Sequence, residues 1–502
     1  MTEKKSLNLL DATLIVSGSM IGSGIFIVSA DIARQTGGAG WLLLSWIISG
    51  VITLFAALSY GELASMFPHA GGQYVYLKNA YNPLVGFLYG WTIFLVVQCG
   101  TIAAVAVAFA KYTGVLFPVL SENNILFEHV FAIPQVVQSI VLLFSQTASQ
   151  TFEFKISAAQ LFGIFSILVL TLINSRGISY GKIVLRLFTS AKLLALFGII
   201  VLGVFVYGSS ETWSMNWSDA FSLSHWDKGV DGKWFQSNLS TIALMSAVGV
   251  GLVGSLFSSD AWNNVTFISG DIENPKRNIP LSLAIGTIIV VSLYLLANVA
   301  FLYLLPLTGT PDGANVFARG IQFAQNERVG TAAAQMMFGG AAAIIMAVLI
   351  MISTFGCNNG IILSSVRVYQ AMAKDGLFFE KMKHNNENGV PGFALWIQFI
   401  WSAALCLSGK YGDLLDYVMF SVMLFYILTI AGLFILRKKQ PDAERPYKAW
   451  GYPLVPALYL VLATAFCVNL LIVKFSACWP GLLIVAIGVP VFYHWKNKST
   501  AV

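Results

Sequence analysis

Apolar runs of about 20 residues, the length that crosses a bilayer core as a helix, follow one another along the chain with only short polar breaks. They fall near 9–33, 41–66, 83–113, 156–175, 181–208, 240–268, 280–306, 332–372, 392–409, 413–436, 452–474 and 477–495. The pattern predicts an all-α integral membrane protein of about twelve spans. One stretch, 119–155, departs from it. Ile133 to Phe144 is apolar but too short to span, and is expected to lie as a lateral helix on the outer surface. The first run, although preceded by Lys4 and Lys5, is long and broken by glycine, so a span is expected there rather than a cleaved leader.

Composition sharpens this picture. Of 502 residues 57% are hydrophobic and 10% charged, whereas soluble domains carry about 25% charged residues. No soluble-looking block separates the runs, so the chain reads as one membrane-embedded body. With the N-terminus in the cytoplasm, roughly two thirds of the 29 lysines and arginines fall in cytoplasmic loops, which by the positive-inside rule puts both termini inside. The net charge of +6 therefore calls for no nucleic acid, because the basic residues are spread over loops facing anionic lipid. Arg437 to Lys439 are read as part of that lipid-facing charge. Cys99, Cys357, Cys406, Cys467 and Cys478 lack metal-ligand spacing, and neither a metal site nor a cofactor is expected.

Two runs carry chemistry that a plain span would avoid. The first contains Gly18-Ser19-Met20-Ile21-Gly22-Ser23-Gly24-Ile25-Phe26. Each glycine costs about 1 kcal/mol relative to alanine inside a helix, so the cluster is a place to unwind. Close helix packing through the Gly18 and Gly22 pair is the competing explanation. The sixth run contains Leu256-Phe257-Ser258-Ser259-Asp260-Ala261-Trp262-Asn263-Asn264. A central aspartate costs about 2.5–3.5 kcal/mol in a membrane helix, so it should face a cavity or a partner. Interruptions in the first run of each half point to an inverted-repeat transporter, with repeats at 9–208 and 240–436, a core of 9–436 and two further helices at 450–495.

The ends of the half-helices suggest a ligand. Where the first run restarts after Gly24, free N–H groups and a dipole of about +0.5 charge suit a carboxylate. Carbonyls released around Met20, Phe257 and Asp260 suit an ammonium group. Both together match an α-amino acid. Lys192 stands near the centre of the fifth run, where a cation needs oxygen-rich neighbours, and is expected to contact the broken backbone of the first.

These residues also carry a resemblance. Gly22-Ser23-Gly24-Ile25-Phe26, Tyr60-Gly61-Glu62-Leu63, Gly71-Gly72, Asn174-Ser175-Arg176-Gly177, the run at 191–196, Asn274-Pro275-Lys276-Arg277 and Ser353-Thr354-Phe355-Gly356 stand in the order seen in amino acid–polyamine–organocation (APC) superfamily permeases. The chain resembles the L-type amino acid transporter group of bacterial type. The resemblance implies a five-plus-five inverted-repeat core with discontinuous helices 1 and 6, working by alternating access. It implies substrate contacts at Met20, Gly22, Ser23, Gly24, Phe257, Ser258, Asp260 and Asn359, a gate at Phe257, and Lys192 in the place of a sodium ion.

Sodium-independent exchange or uptake of neutral L-amino acids at the cytoplasmic membrane is the function this implies. Asp260, where many relatives have glycine, keeps a cationic amino acid or polyamine as the alternative, and a transport-inactive sensor is the alternative of another class. Asp271 and Glu273 replace the group's adjacent acidic pair. No cysteine lies in 114–155, so no disulfide-linked heavy chain is expected. A membrane enzyme is disfavoured, because the five histidines sit in loops or at span ends and no HExxH motif occurs. No pore ring or repeated filter sequence suggests a channel.

Overall fold

A computed structural model describes residues 6–132, 135, 151–229, 233–407 and 411–500. Among them, ten helices are long and apolar enough to cross a membrane by length and composition, and two shorter apolar helices, Leu9–Met20 and Gly392–Leu407, accompany them. Outward and inward faces are inverted relative to a soluble protein. Leu194, Ile242, Met245 and Ile472 are 71%, 83%, 73% and 77% exposed, while Glu62, Asn298, Gln73 and Lys192 are buried. Only a hydrocarbon surround makes that arrangement favourable.

The first run is α1 (Leu9–Met20) and, beyond a break, α2 (Ser29–Thr36). Asn8 and Asp11 form a capping box at the start of α1. Asp11 is fully buried there and is neutralised by Lys182 at 2.8 Å and Arg186 at 2.6 Å. After α2, Gly37 takes φ +74, a left-handed cap that L side chains resist. α3 (Ala39–Met66), α4 (Gln73–Ala80), α5 (Pro83–Thr92) and α6 (Cys99–Leu116) follow. A π-helical turn, Ile93–Gln98, joins α5 to α6.

The second part of the chain begins with α7 (Ala158–Ser175) and α8 (Ile178–Val201), and continues through α9 (Ser210–Trp217). α10 (Thr241–Ser258) breaks before α11 (Asn264–Phe267). α12 (Pro275–Leu304), α13 (Val329–Phe338), α14 (Ala342–Lys374), α15 (Gly392–Leu407), α16 (Tyr411–Lys439), α17 (Leu454–Val473) and α18 (Phe475–Thr500) complete the helices used below. α1 is held among α8, α12 and α14, so its broken end has protein on several sides.

One expectation is corrected, that on Arg437, and one stretch without an apolar span takes a form of its own. In 119–155 the described residues include an antiparallel hairpin of β1 (Ile125–Ala132) and β2 (Thr151–Ser157). Both segments are rich in β-branched and aromatic residues, and Glu128 faces Lys155 across the ladder at 3.0 Å. The lateral helix expected at Ile133 to Phe144 falls outside the described residues. A second hairpin, β3 (Ser224–Lys228) with β4 (Trp234–Asn238), packs on α2.

Arg437 does not face lipid. Its guanidinium holds the fully buried Glu62 carboxylate with contacts of 2.9 and 2.6 Å and lies 3.5 Å from the centroid of the Tyr452 ring. Glu62 also accepts the Ala449 N–H at 2.7 Å. A carboxylate at that depth outweighs anionic lipid as a partner, since it must be paired to be buried. Glu62→Ala should therefore strand Arg437 and lower stability by about 3–5 kcal/mol. A melting temperature in detergent equal to the parent's would contradict this.

Candidate functional site

α1 stops at Met20 because Ile21 turns extended, with φ −77 and ψ 97. The carbonyls freed at this end must find donors, since hydrocarbon supplies none. Each is met from a neighbouring helix. Lys192 Nζ on α8 donates to the Gly18 and Ile21 carbonyls, the latter at 2.7 Å. The Cys357 thiol donates to Ser19 O at 3.0 Å, and the Ser353 hydroxyl reaches the Ile21 and Gly22 carbonyls at 3.1 Å each. The Tyr294 phenol on α12 reaches Met20 O at 3.0 Å.

On the far side of the break the chain re-forms as the short turn Gly24–Phe26 before α2. No backbone carbonyl of the described residues accepts from the N–H groups of Gly22, Ser23 or Gly24. Three donors are thus left pointing into local space, with a helix beginning behind them.

The sixth run breaks beside the first. α10 ends at Ser258, and Ala261 takes φ +65, a left-handed turn forced on a residue with a side chain. The Tyr294 phenol that reaches Met20 O also reaches Ser258 O at 3.0 Å, so one hydroxyl hydrogen is shared between the ends of both broken helices. The approach is close elsewhere too: a Cβ on Gly24 would stand 2.9 Å from Ser258 Cβ and overlap its hydroxyl. The glycine is required by contact.

Between the breaks and α6 lies a cavity of about 520 Å³, counting its open mouth. Of the residues singled out from the sequence, Met20, Gly22, Ser23, Gly24, Phe257, Ser258 and Asp260 line it. Cys357 joins them from α14. Asp260 accepts the Tyr426 phenol at 2.6 Å.

Asn359 is not brought to this wall. Its Oδ1 accepts Asn174 Nδ2 at 3.0 Å and its Nδ2 donates to Gly181 O at 2.9 Å, so both ends of the amide tie α14 to neighbouring helices. A polar residue on a glycine-rich helix serves interhelical bonding as readily as ligand binding. Trp262 packs edge-on to Tyr60, with ring centroids 4.7 Å apart, as interior packing. Asp271 pairs with Arg367 at 3.0 Å in a buried contact.

Tyr294, Gln98 at the end of the π-helical turn and Thr101 on α6 were not picked out from the sequence, and Ser353 entered only as part of a motif. Tyrosine in an apolar run gives no sign that its hydroxyl bridges two breaks. A π-helical turn gives no periodicity signal at all over six residues.

Comparison with known proteins gives the family of the chain. Residues 7–492 match the amino acid permease family. The serine/threonine exchanger SteT of Bacillus subtilis (strain 168) is 27% identical over 99% of this chain and 98% of its own length. The human large neutral amino acids transporter small subunit 2 is 29% identical over 99% of this chain and 82% of its own length. The human b(0,+)-type amino acid transporter 1 is 26% identical, over 93% and 82% respectively. A helical, multi-span body with two interrupted helices, matched along nearly its whole length, belongs to the amino acid permease family: the chain is a membrane transporter of amino acids and not an enzyme.

Proposed function

We propose that the chain exchanges or takes up neutral L-amino acids by sodium-independent alternating access, with the cavity between the two breaks as its substrate site. The observation that carries this reading is the shared Tyr294 hydrogen, which holds the Met20 and Ser258 carbonyls together opposite the unpaired N–H groups of Gly22, Ser23 and Gly24. A zwitterion fits such a pair of ends: its carboxylate takes the N–H groups and the Ser23 hydroxyl, and its ammonium takes the carbonyls. Phe257, partly exposed to the cavity, is the gate. Asn359 plays no direct part in this reading.

Lys192 supplies the fixed cation. Its contacts with carbonyls of α1 and with Ser353 O at 3.4 Å are those a sodium ion would otherwise make, which supports transport without sodium. The core of 9–436 works as two inverted five-span repeats, and the two helices within 450–495 stand outside the alternating motion. We place both termini in the cytoplasm and the protein in the cell membrane, on the distribution of lysine and arginine. The chain works without a disulfide-linked heavy chain, since 114–155 carries no cysteine. The name of the Bacillus subtilis relative, a serine/threonine exchanger, supports neutral substrates.

Counterflow of the natural amino acids in proteoliposomes, with each enantiomer and with sodium or potassium outside, tests the reading. Stereoselective counterflow of neutral L-amino acids, equal in both salts, is expected. Preference for lysine or arginine would move the function to cationic substrates through Asp260. Binding without counterflow would mark a sensor.

A further inference from the structure

A two-stranded hairpin standing alone is marginal in water, and β1–β2 packs on the rest of the described protein chiefly where β2 runs into α7. We infer that this hairpin lies on the membrane, with one face set into the headgroup region of the lipid and the other turned to water. By the orientation proposed above the leaflet is the outer one, but the contact with lipid does not depend on that orientation.

The register separates the two faces. Residues paired across an antiparallel ladder lie on one side of it, and successive residues along a strand alternate between sides. Phe127 pairs with Ile156 and His129 with Phe154, so Phe127, His129, Phe131, Phe154 and Ile156 share a face. Their rings are neighbours along it, Phe127 and Phe154 with centroids 6.3 Å apart and His129 and Phe131 4.5 Å apart. Phe127 and Phe131 are nevertheless 51% and 50% exposed. Glu128 and Lys155 pair at 3.0 Å on the opposite face, beside Val130, so the ion pair keeps to that side.

Three observations name lipid as what covers the aromatic face. Between Glu128 and Glu153 the sequence has no Asp, Glu, Lys or Arg, where a soluble segment of that length would carry about six. The hairpin is also continuous with a lipid-facing surface: β2 passes through Ser157 directly into α7, whose Leu161, Phe165 and Leu172 form one exposed stripe that a bilayer would cover with hydrocarbon. The backbone then sets the depth. Among the described residues each strand has a single neighbour, so the outer edges need water or headgroups as hydrogen-bond partners and cannot sit in the hydrocarbon core. An aromatic face down and an ion pair up is the arrangement of an element lying in the interface plane.

Nitroxide labels on single introduced cysteines, in proteoliposomes of phosphatidylethanolamine and phosphatidylglycerol, test this. Phe127→Cys and Phe131→Cys report the aromatic face and Glu128→Cys the other; the native cysteines are buried, and signal from the labelled parent is subtracted. Each label is exposed to oxygen, which concentrates in lipid, and to a water-soluble nickel chelate. The ratio of oxygen to nickel collisions should be several-fold higher at 127 and 131 than at 128. Equal ratios on the two faces would overturn the inference, because the hairpin would then stand in water. Weak collision with both reagents at 127 and 131 would overturn it as well, since protein, a second copy or another partner, would then cover that face. Should one phenylalanine variant fail to accumulate the other decides, and should both fail, Ile156→Cys reports the same face. The measurement needs no transport, so its failure would leave the proposed function untouched.

Discussion

Gly24→Val reduces amino acid uptake by about a hundredfold while the protein still reaches the membrane. The reason lies in how closely the two breaks approach. A Cβ at Gly24 already falls 3.3 Å from Ser258 Cα and 2.9 Å from Ser258 Cβ, and valine adds two methyl groups beyond it. Overpacking of this kind costs about 1–3 kcal/mol, and each 1.4 kcal/mol corresponds to about tenfold in an equilibrium. The neighbour cannot yield cheaply, because the Ser258 hydroxyl is bonded to Gly254 O and its carbonyl to Tyr294. Adding Ser258→Gly to Gly24→Ala should restore part of the uptake lost in Gly24→Ala. Parental uptake by Gly24→Val at equal surface expression would mean that the space between the breaks is not where substrate sits.

Lys192→Ala weakens substrate affinity by about tenfold and leaves folding largely intact. Removing the ammonium strands the Gly18 carbonyl, whereas Ile21 O retains the Ser353 hydroxyl at 3.1 Å. One unsatisfied buried acceptor costs about 1–3 kcal/mol, and α1 can relieve it only by shifting its end. That shift moves Met20, whose carbonyl belongs to the amine end of the site. The measurement is the KM for counterflow together with the melting temperature. A KM equal to the parent's would separate Lys192 from the site, and recovery of the variant by sodium would support the ammonium's place as a cation substitute.

Both predictions start from positions that stood out along the chain. Gly22, Ser23 and Gly24 are conspicuous because glycine and serine are poor company for a membrane helix, and Lys192 because a cation in hydrocarbon needs a reason. Asp260 announced itself in the same way. Tyr294 and Gln98 did not. Their importance is that one hydroxyl meets two carbonyls far apart in sequence, and that one carboxamide donates to Asn264, 166 positions away.

Asn359 shows the opposite case. A polar residue near Gly360 and Cys357 in α14 reads as a ligand contact, yet its amide is satisfied by Asn174 and Gly181 on the helices alongside. Arg437 was misjudged, and the strand at 125–132 was not foreseen, for the same physical reason. A guanidinium finds the best carboxylate in reach, here Glu62, 375 positions away. A strand is stabilised by the partner laid beside it.

Transfer free energy is summed over neighbouring residues, so length and hydrophobicity were enough to establish a many-span helical membrane protein, and the weakest helical stretches marked its two breaks. Hydrogen-bond partners are chosen across space among groups that helix packing happens to bring together. The closure of the breaks by Tyr294 and the withdrawal of Asn359 were therefore settled only when the helices had docked.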